Sequence, residues 1–196
     1  MPYTADQIRS LIAAGEGPRI EFKKRIPDAA LLARLVSAFS NSSGGVVLVG
    51  VGDRGEIVGT DIEEAQQTFR RSLSVLAGPL RADLEALEVD GMTLAVITVG
   101  ANPQLVLSRD GAFMRLGATS APMTPEAITK ALSEAGQPPD RQSSALAEAI
   151  HTLTVRIGQL QEELRQASRM SRQLPGYLVS GAIGAVLGWL VSKLLG

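Results

Sequence analysis

The sequence predicts an α+β domain on a mixed, mostly antiparallel sheet, followed by a long coiled-coil helix and one apolar C-terminal helix. Three observations predict it. The run VVLVGV (46–51) reads as a central strand because both of its faces are apolar. Asp90-Gly91 and Arg109-Asp110-Gly111 each separate two strand-like runs, as antiparallel hairpins do. At GQPPDRQSS (136–144) the mixed pattern gives way to a helical one and then to an apolar one.

A first helix starts at Thr4. Thr4 and Gln7 have capping-box spacing, and Ile8, Leu11 and Ile12 form one apolar stripe that Gly15, Gly17 and Pro18 end. Arg19–Lys24 reads as a short strand. Asp28 caps a second helix in which Leu31, Leu32, Leu35, Val36 and Phe39 recur at helical spacing up to Asn41. SNSSGG (40–45) is a loop into the central strand. Asp53-Arg54-Gly55 turns the chain into Glu56–Val58, and a helix follows over 61–77. The hairpins pair 84–89 with 92–99 and 104–107 with 112–116. Thr124-Pro125-Glu126 opens the last helix of the domain, with Thr as cap and Pro at the first helical position. The expected organisation is a domain over 1–135, a linker over 136–144, a coiled-coil helix over 145–173 and a membrane helix over 175–196.

After the linker, Ile150, Ile157 and Leu164 take heptad a positions, and Leu146, Leu153, Leu160 and Ala167 take d. Ile-rich a with Leu at d favours a parallel two-stranded coiled coil, which implies a homo-oligomer. The other reading of this pattern is an amphipathic helix folded back onto the domain. Tyr177–Leu195 is apolar apart from Ser180, Ser192 and Lys193. Counted from Pro175, its helix spans about 33 Å, enough to cross a bilayer core. Gly176, Ser180, Gly184, Gly188, Ser192 and Gly196 give it a small-residue face suited to close helix packing in lipid. Arg165, Arg169 and Arg172 precede the run. The expectation is a single-pass C-terminal anchor with the globular domain in the cytoplasm.

Composition excludes several classes of function. The 196 residues carry a net charge of −1, and residues 1–142 hold 14 Lys+Arg against 17 Asp+Glu. That balance argues against strong non-specific duplex binding, which depends on phosphate neutralisation. No cysteine is present, which excludes disulfides, thiolate zinc sites and a cysteine nucleophile. A single histidine, His151, argues against a Ser-His-Asp triad or a His-rich metal site. The polar start, MPYTADQIRS, is not read as a secretory signal.

Gly50-Val51-Gly52-Asp53-Arg54-Gly55 spells G-x-G-x-x-G after a strand-like run. A dinucleotide loop must deliver pyrophosphate to a helix N-terminus, yet EIVG follows the third glycine and the next helix starts only near Asp61. The glycines are therefore read as serving a tight turn. A second informative stretch is GEGPRIEFKKR (15–25). Strand alternation places Arg19, Glu21 and Lys23 on one face, with Ile20 and Phe22 on the other. Glu21-Phe22-Lys23 has a carboxylate and an ammonium suited to metal-dependent phosphodiester cleavage. A surface strand of alternating charge has the same spelling.

Together these residues resemble a known family. Glu16 with Glu21-Phe22-Lys23, then LVSAFSNSSGG (35–45), VVLVGVGD (46–53), IVG (57–59) and GAFMRLGATSAPMTPEAI (111–128) are similar to the Schlafen-type AlbA domain. The resemblance covers about 10–133 and implies an α+β fold that binds nucleic acid. Its nuclease members imply a metal-dependent endoribonuclease using three acids. The matching positions are Glu16, Glu21 and Asp53, which would hold Mg²⁺ or Mn²⁺ with Lys23 beside them. Gly52 departs from the family's frequent second acid.

Lys23, Lys24 and Arg25, with Arg115, are the expected nucleic-acid contacts; Arg70-Arg71 reads as a solvated face. Three functions stay open. The first is a membrane-anchored oligomeric endoribonuclease on structured RNA, paired through the coiled coil and associated with phage defence by family likeness. The second is a non-catalytic DNA- or RNA-binding module tethered to membrane lipid. The third is a membrane-assembly effector with the domain as sensor.

Overall fold

A computed structural model describes the backbone of residues 2–134 and 141–194, with side chains as far as 167. The chain forms two compact units, Met1–Val155 and Arg156–Gly196.

Local signals set the early elements. Helix α1 (Ala5–Ala14) has both halves of the capping box: Gln7 N–H donates to Thr4 Oγ1 and Thr4 N–H donates to Gln7 Oε1. It ends at Gly15, whose φ of 79° suits glycine. Strand β1 (Ile20–Lys23) leads to α2 (Ala29–Ser40), capped by the Asp28 carboxylate on Leu31 N–H. Strand β2 (Gly45–Val49) is buried at every position, as its apolar faces predict. Helix α3 (Ile62–Leu73) is capped by Asp61 and ends four residues short of the expected Ala77.

The four-stranded sheet runs β1-β2-β4-β3, with β3 (Ala82–Val89) and β4 (Met92–Val99) forming a hairpin. Its turn residues Asp90 and Gly91 both have positive φ, as a type I′ turn requires. β1 and β2 are parallel and the other pairs antiparallel. Alternation then divides the core. Val47 and Val49 pack with Leu32, Val36 and Phe39 of α2 and Phe69 of α3. Val46 and Leu48 pack with Ile8 of α1 and Phe22 of β1.

A second sheet joins β5 (Leu107–Ser108), β6 (Gly111–Leu116) and β7 (Thr119–Pro122) in that order. Strand β7 is not among the elements that the sequence predicts; it returns through a turn at Gly117 with φ of 61°. The first hairpin arm, expected from Gln104, pairs only from Leu107. The residue before the arm, Val106, spends its backbone elsewhere. Its N–H donates to Asn41 Oδ1 at 2.8 Å, while Asn41 Nδ2 donates to Val106 O at 2.8 Å and to Phe113 O at 2.9 Å. Ser37 Oγ adds a bond to Val106 O. Asn41, the C-cap of α2, thus clamps the second sheet onto the first layer.

Helix α4 (Pro125–Glu134) starts as expected, with Ala127 N–H donating to Thr124 Oγ1. The expected linker lies largely outside the described residues, and helix α5 (Arg141–Leu194) follows. In the first unit α5 folds back onto the domain, which corrects part of the coiled-coil reading. Ile150, assigned to a heptad a position, packs with Ala147 against Ala112, Met123 and Ile128. The packed face is lined by the small Ser143, Ala147 and Thr154, which lets a helix approach a sheet closely. Thr154 Oγ1 accepts from Ala112 N–H at 3.2 Å, His151 Nδ1 lies 2.8 Å from Met123 O, and a Cβ on Gly111 would collide with Thr154. Leu153 of the expected seam stays 61 % exposed. In the second unit Leu160 and Leu164 are exposed and Ile157 is half-buried. The expected membrane segment, 175–196, and its small-residue face lie outside the described side chains. Among the described residues no helix is long and apolar enough to cross a membrane.

Asn41→Ala deletes the three clamp bonds and strands buried backbone groups of Val106 and Phe113. Urea unfolding should show a loss of roughly 2–4 kcal/mol. A loss below about 0.5 kcal/mol, the size of an ordinary surface change, would show that the clamp is dispensable.

Candidate nucleic-acid interface

Because β1 and β2 are parallel, their C-terminal ends emerge at the same edge of the sheet. Gly50 N–H and Val51 N–H both donate to Lys23 O, at 2.8 and 3.3 Å. The run Lys24-Arg25 is thereby set beside the Gly52–Glu56 turn. Lys24, Arg25 and Arg54 are all exposed. Lys24 and Arg54 both act electrostatically on the Glu56 carboxylate. A cleft of about 360 Å³ opens next to them, lined by Lys24, Arg25, Thr60, Asp61 and Glu64. Arg54 was not among the residues expected from sequence; its only signal was its place in the turn after Asp53.

The acids expected to hold a metal are each placed differently. Glu21 is 8 % exposed and shares its face of β1 with Lys23, as alternation predicts. Its Oε1 takes the Lys23 ammonium at 2.5 Å. Its Oε2 faces the Arg115 guanidinium at 2.9 Å, an ion pair whose angle makes no hydrogen bond. Glu16 is exposed, and its Oε1 accepts from Phe22 N–H at 2.8 Å, which closes the loop before β1. Asp53 is exposed in the turn. Among the described residues no group of three or more acids or histidines could hold a metal ion. The expected Mg²⁺ or Mn²⁺ set of Glu16, Glu21 and Asp53 is therefore not assembled. The physical reason is that the most buried carboxylate already has two cationic partners.

Arg115, expected at the interface, is inside. Its side chain is 1 % exposed, and it lies over the Phe39 ring at 4.5 Å. It donates to Gly17 O at 2.9 Å and to Ser120 Oγ at 3.3 Å, while its backbone N–H donates to Ser42 Oγ. A reciprocal contact stands nearby: Arg34 of α2 pairs with Asp110 at 2.7 Å and lies over the Phe113 ring of β6. Sequence spacing gave no sign of either, because both join residues more than 70 positions apart.

A larger cleft, about 430 Å³, lies between α4 and the loop after α2, lined by Asn41, Ser42, Asn102, Met114, Met123 and Lys130 among others. None of the three acids borders it.

The Schlafen, AlbA_2 family model matches residues 16–124, more than half of the chain, and the protein belongs to that family. The membership indicates a nucleic-acid-related domain. Comparison with curated proteins finds no match. Among solved structures, the chain is similar to the DIP2311 protein of Corynebacterium diphtheriae, with 22 % identity and a TM-score of 0.48 over 64 % of this chain. It spans only 27 % of that protein. It is also similar to the N-terminal domain of a RecG-related protein from Nitrosomonas europaea, with 28 % identity and a TM-score of 0.42, covering 62 % of this chain and 94 % of that domain.

Arg115→Met removes one partner of a buried pair and should cost roughly 3–5 kcal/mol in denaturant unfolding. The double change Glu21→Gln with Arg115→Met should recover part of that loss, since the buried carboxylate that keeps only Lys23 in the single variant is then neutral. Additive losses in the two single variants would show that the pair is not coupled.

Proposed function

We propose that the domain is a nucleic-acid-binding module that grips the phosphate backbone through Lys24, Arg25 and Arg54. The observation that carries this reading is the convergence of those exposed cations where the parallel strands β1 and β2 end. Family membership supports it. Binding fits the geometry better than cleavage, because Glu21 is already neutralised by Lys23 and Arg115. The domain's overall acidity fits a local contact of a few phosphates. Such a contact favours single-stranded or structured RNA or DNA over tight coating of a duplex.

The C-terminal part of the chain supports a setting for this activity. The apolar run 177–195 supports a membrane tether, and exposed Leu153 supports self-association along α5. Both are readable in the chain of residues 1–196. Leu153→Asp should abolish chemical cross-linking between copies while leaving the domain folded. Release of the wild type from membranes by alkaline carbonate would count against the tether.

Three phosphate contacts on a single strand give a slope of log K against log salt of roughly −2. Lys24→Ala should weaken binding to a labelled single-stranded RNA and reduce that slope by about 0.7. Binding that ignores salt, or that Lys24→Ala and Arg25→Ala leave unchanged, would remove this reading. Metal-stimulated RNA cleavage abolished by Glu21→Gln in a folded protein would replace it with the nuclease reading.

A further inference from the structure

The turn after β2 already holds an anion, and the anion belongs to the chain. Gly52 N–H donates to Glu56 O and Gly55 N–H donates to Gly52 O, both at 2.9 Å, closing a five-residue loop. The Glu56 side chain folds back into this loop. Arg54 N–H donates to its Oε2 at 3.2 Å, and its Oε1 occupies the space where a Cβ on Gly52 would stand. The backbone N–H of Glu56 itself, then that of Arg54, then the charges of Lys24 and Arg54 hold this carboxyl below the usual carboxylate range. Gly52 N–H and Gly55 N–H are taken by backbone carbonyls, so the amides of Arg54 and Glu56 are the two that act on the carboxylate, and a phosphate oxygen accepts from such amides as a carboxylate does.

We propose that the Gly52–Glu56 loop is a phosphate site that the free protein fills with its own Glu56 carboxylate, and that a backbone phosphate of a bound nucleic acid displaces it. The identity of the displacing ligand rests on the nucleic-acid reading above; the site itself does not. Glu56 then acts as a built-in competitor. It lowers affinity by occupying the amides and by repelling phosphate, and the displaced phosphate position has Lys24 and Arg54 as flanking cations. Gly52 is required for space rather than for backbone conformation, since its φ lies outside the positive range and the atoms that a Cβ would strike are those of the Glu56 carboxylate.

The test uses the chain of residues 1–196 with two probes. Inorganic phosphate is followed through the amide resonances of Arg54 and Glu56, and a labelled single-stranded RNA through anisotropy at fixed salt. Glu56→Ala should bind phosphate roughly fivefold more tightly than wild type, the scale of one like charge removed at contact distance in water. Glu56→Gln should fall between them. Gly52→Ala expels the carboxylate yet fills its place, so it should bind no tighter than wild type, and adding it to Glu56→Ala should cancel the gain. RNA affinity should follow the same order. Phosphate that shifts neither amide in Glu56→Ala, or affinity equal in all variants, would overturn the site. If phosphate follows the order while RNA binds every variant alike, displacement by nucleic acid is overturned. If RNA binds no variant while phosphate follows the order, the proposed function fails and the phosphate site stands.

Discussion

The second sheet depends on one buried guanidinium. Arg115 reaches β1 through Glu21, the loop before β1 through Gly17 O, and β7 through Ser120, and it lies on Phe39 of α2. Arg34 answers from the other direction, from α2 to Asp110 and the Phe113 ring of β6. Each arginine thus uses its flat face on an aromatic ring of the opposite layer and its edge on a carboxylate. A buried pair of this kind adds little net stability over an apolar one, but neither partner can be lost alone. These pairs, with the Asn41 bonds to Val106 and Phe113, tie the second sheet to α2.

This commitment decides where chemistry can happen. A carboxylate held by Lys23 and Arg115 is poorly placed to bind a cation, because a metal would have to displace an ion pair in a nearly closed site. The exposed groups at the sheet's edge are the cations Lys24, Arg25 and Arg54, interleaved with the acids Asp53, Glu56, Asp61 and Glu64. Phosphate contact is the role we propose for those three cations. The glycine-rich turn belongs to the same edge. Helix α3 begins too late to receive a pyrophosphate there, and the turn's amides are taken within the chain, Arg54 N–H by the Glu56 carboxylate and Gly52 and Gly55 N–H by backbone carbonyls.

Much of the fold was legible because its signals are local. Thr4 with Gln7, Asp28 and Asp90-Gly91 each act on atoms a few residues away, and each does what its spacing predicts. β7 and the shortened β5 were not legible. One is a short strand without periodicity, and the other is trimmed by a side chain 65 residues upstream. The heptad pattern on α5 was real but ambiguous. Ile150 lies between the seam and the face of Ser143, Ala147 and Thr154, and only the facing sheet decides that it packs inward.

The sequence by itself determined the α+β class, the central strand, the family and the residues that line β1. It did so because propensity, capping and alternation are short-range effects. The tertiary structure alone decided what those residues do. Glu21 and Arg115 read as a metal ligand and a surface cation, and they became partners because the second sheet folds over α2 and brings them to 2.9 Å. Charge type is written in the chain, but desolvation and pairing exist only once distant segments meet.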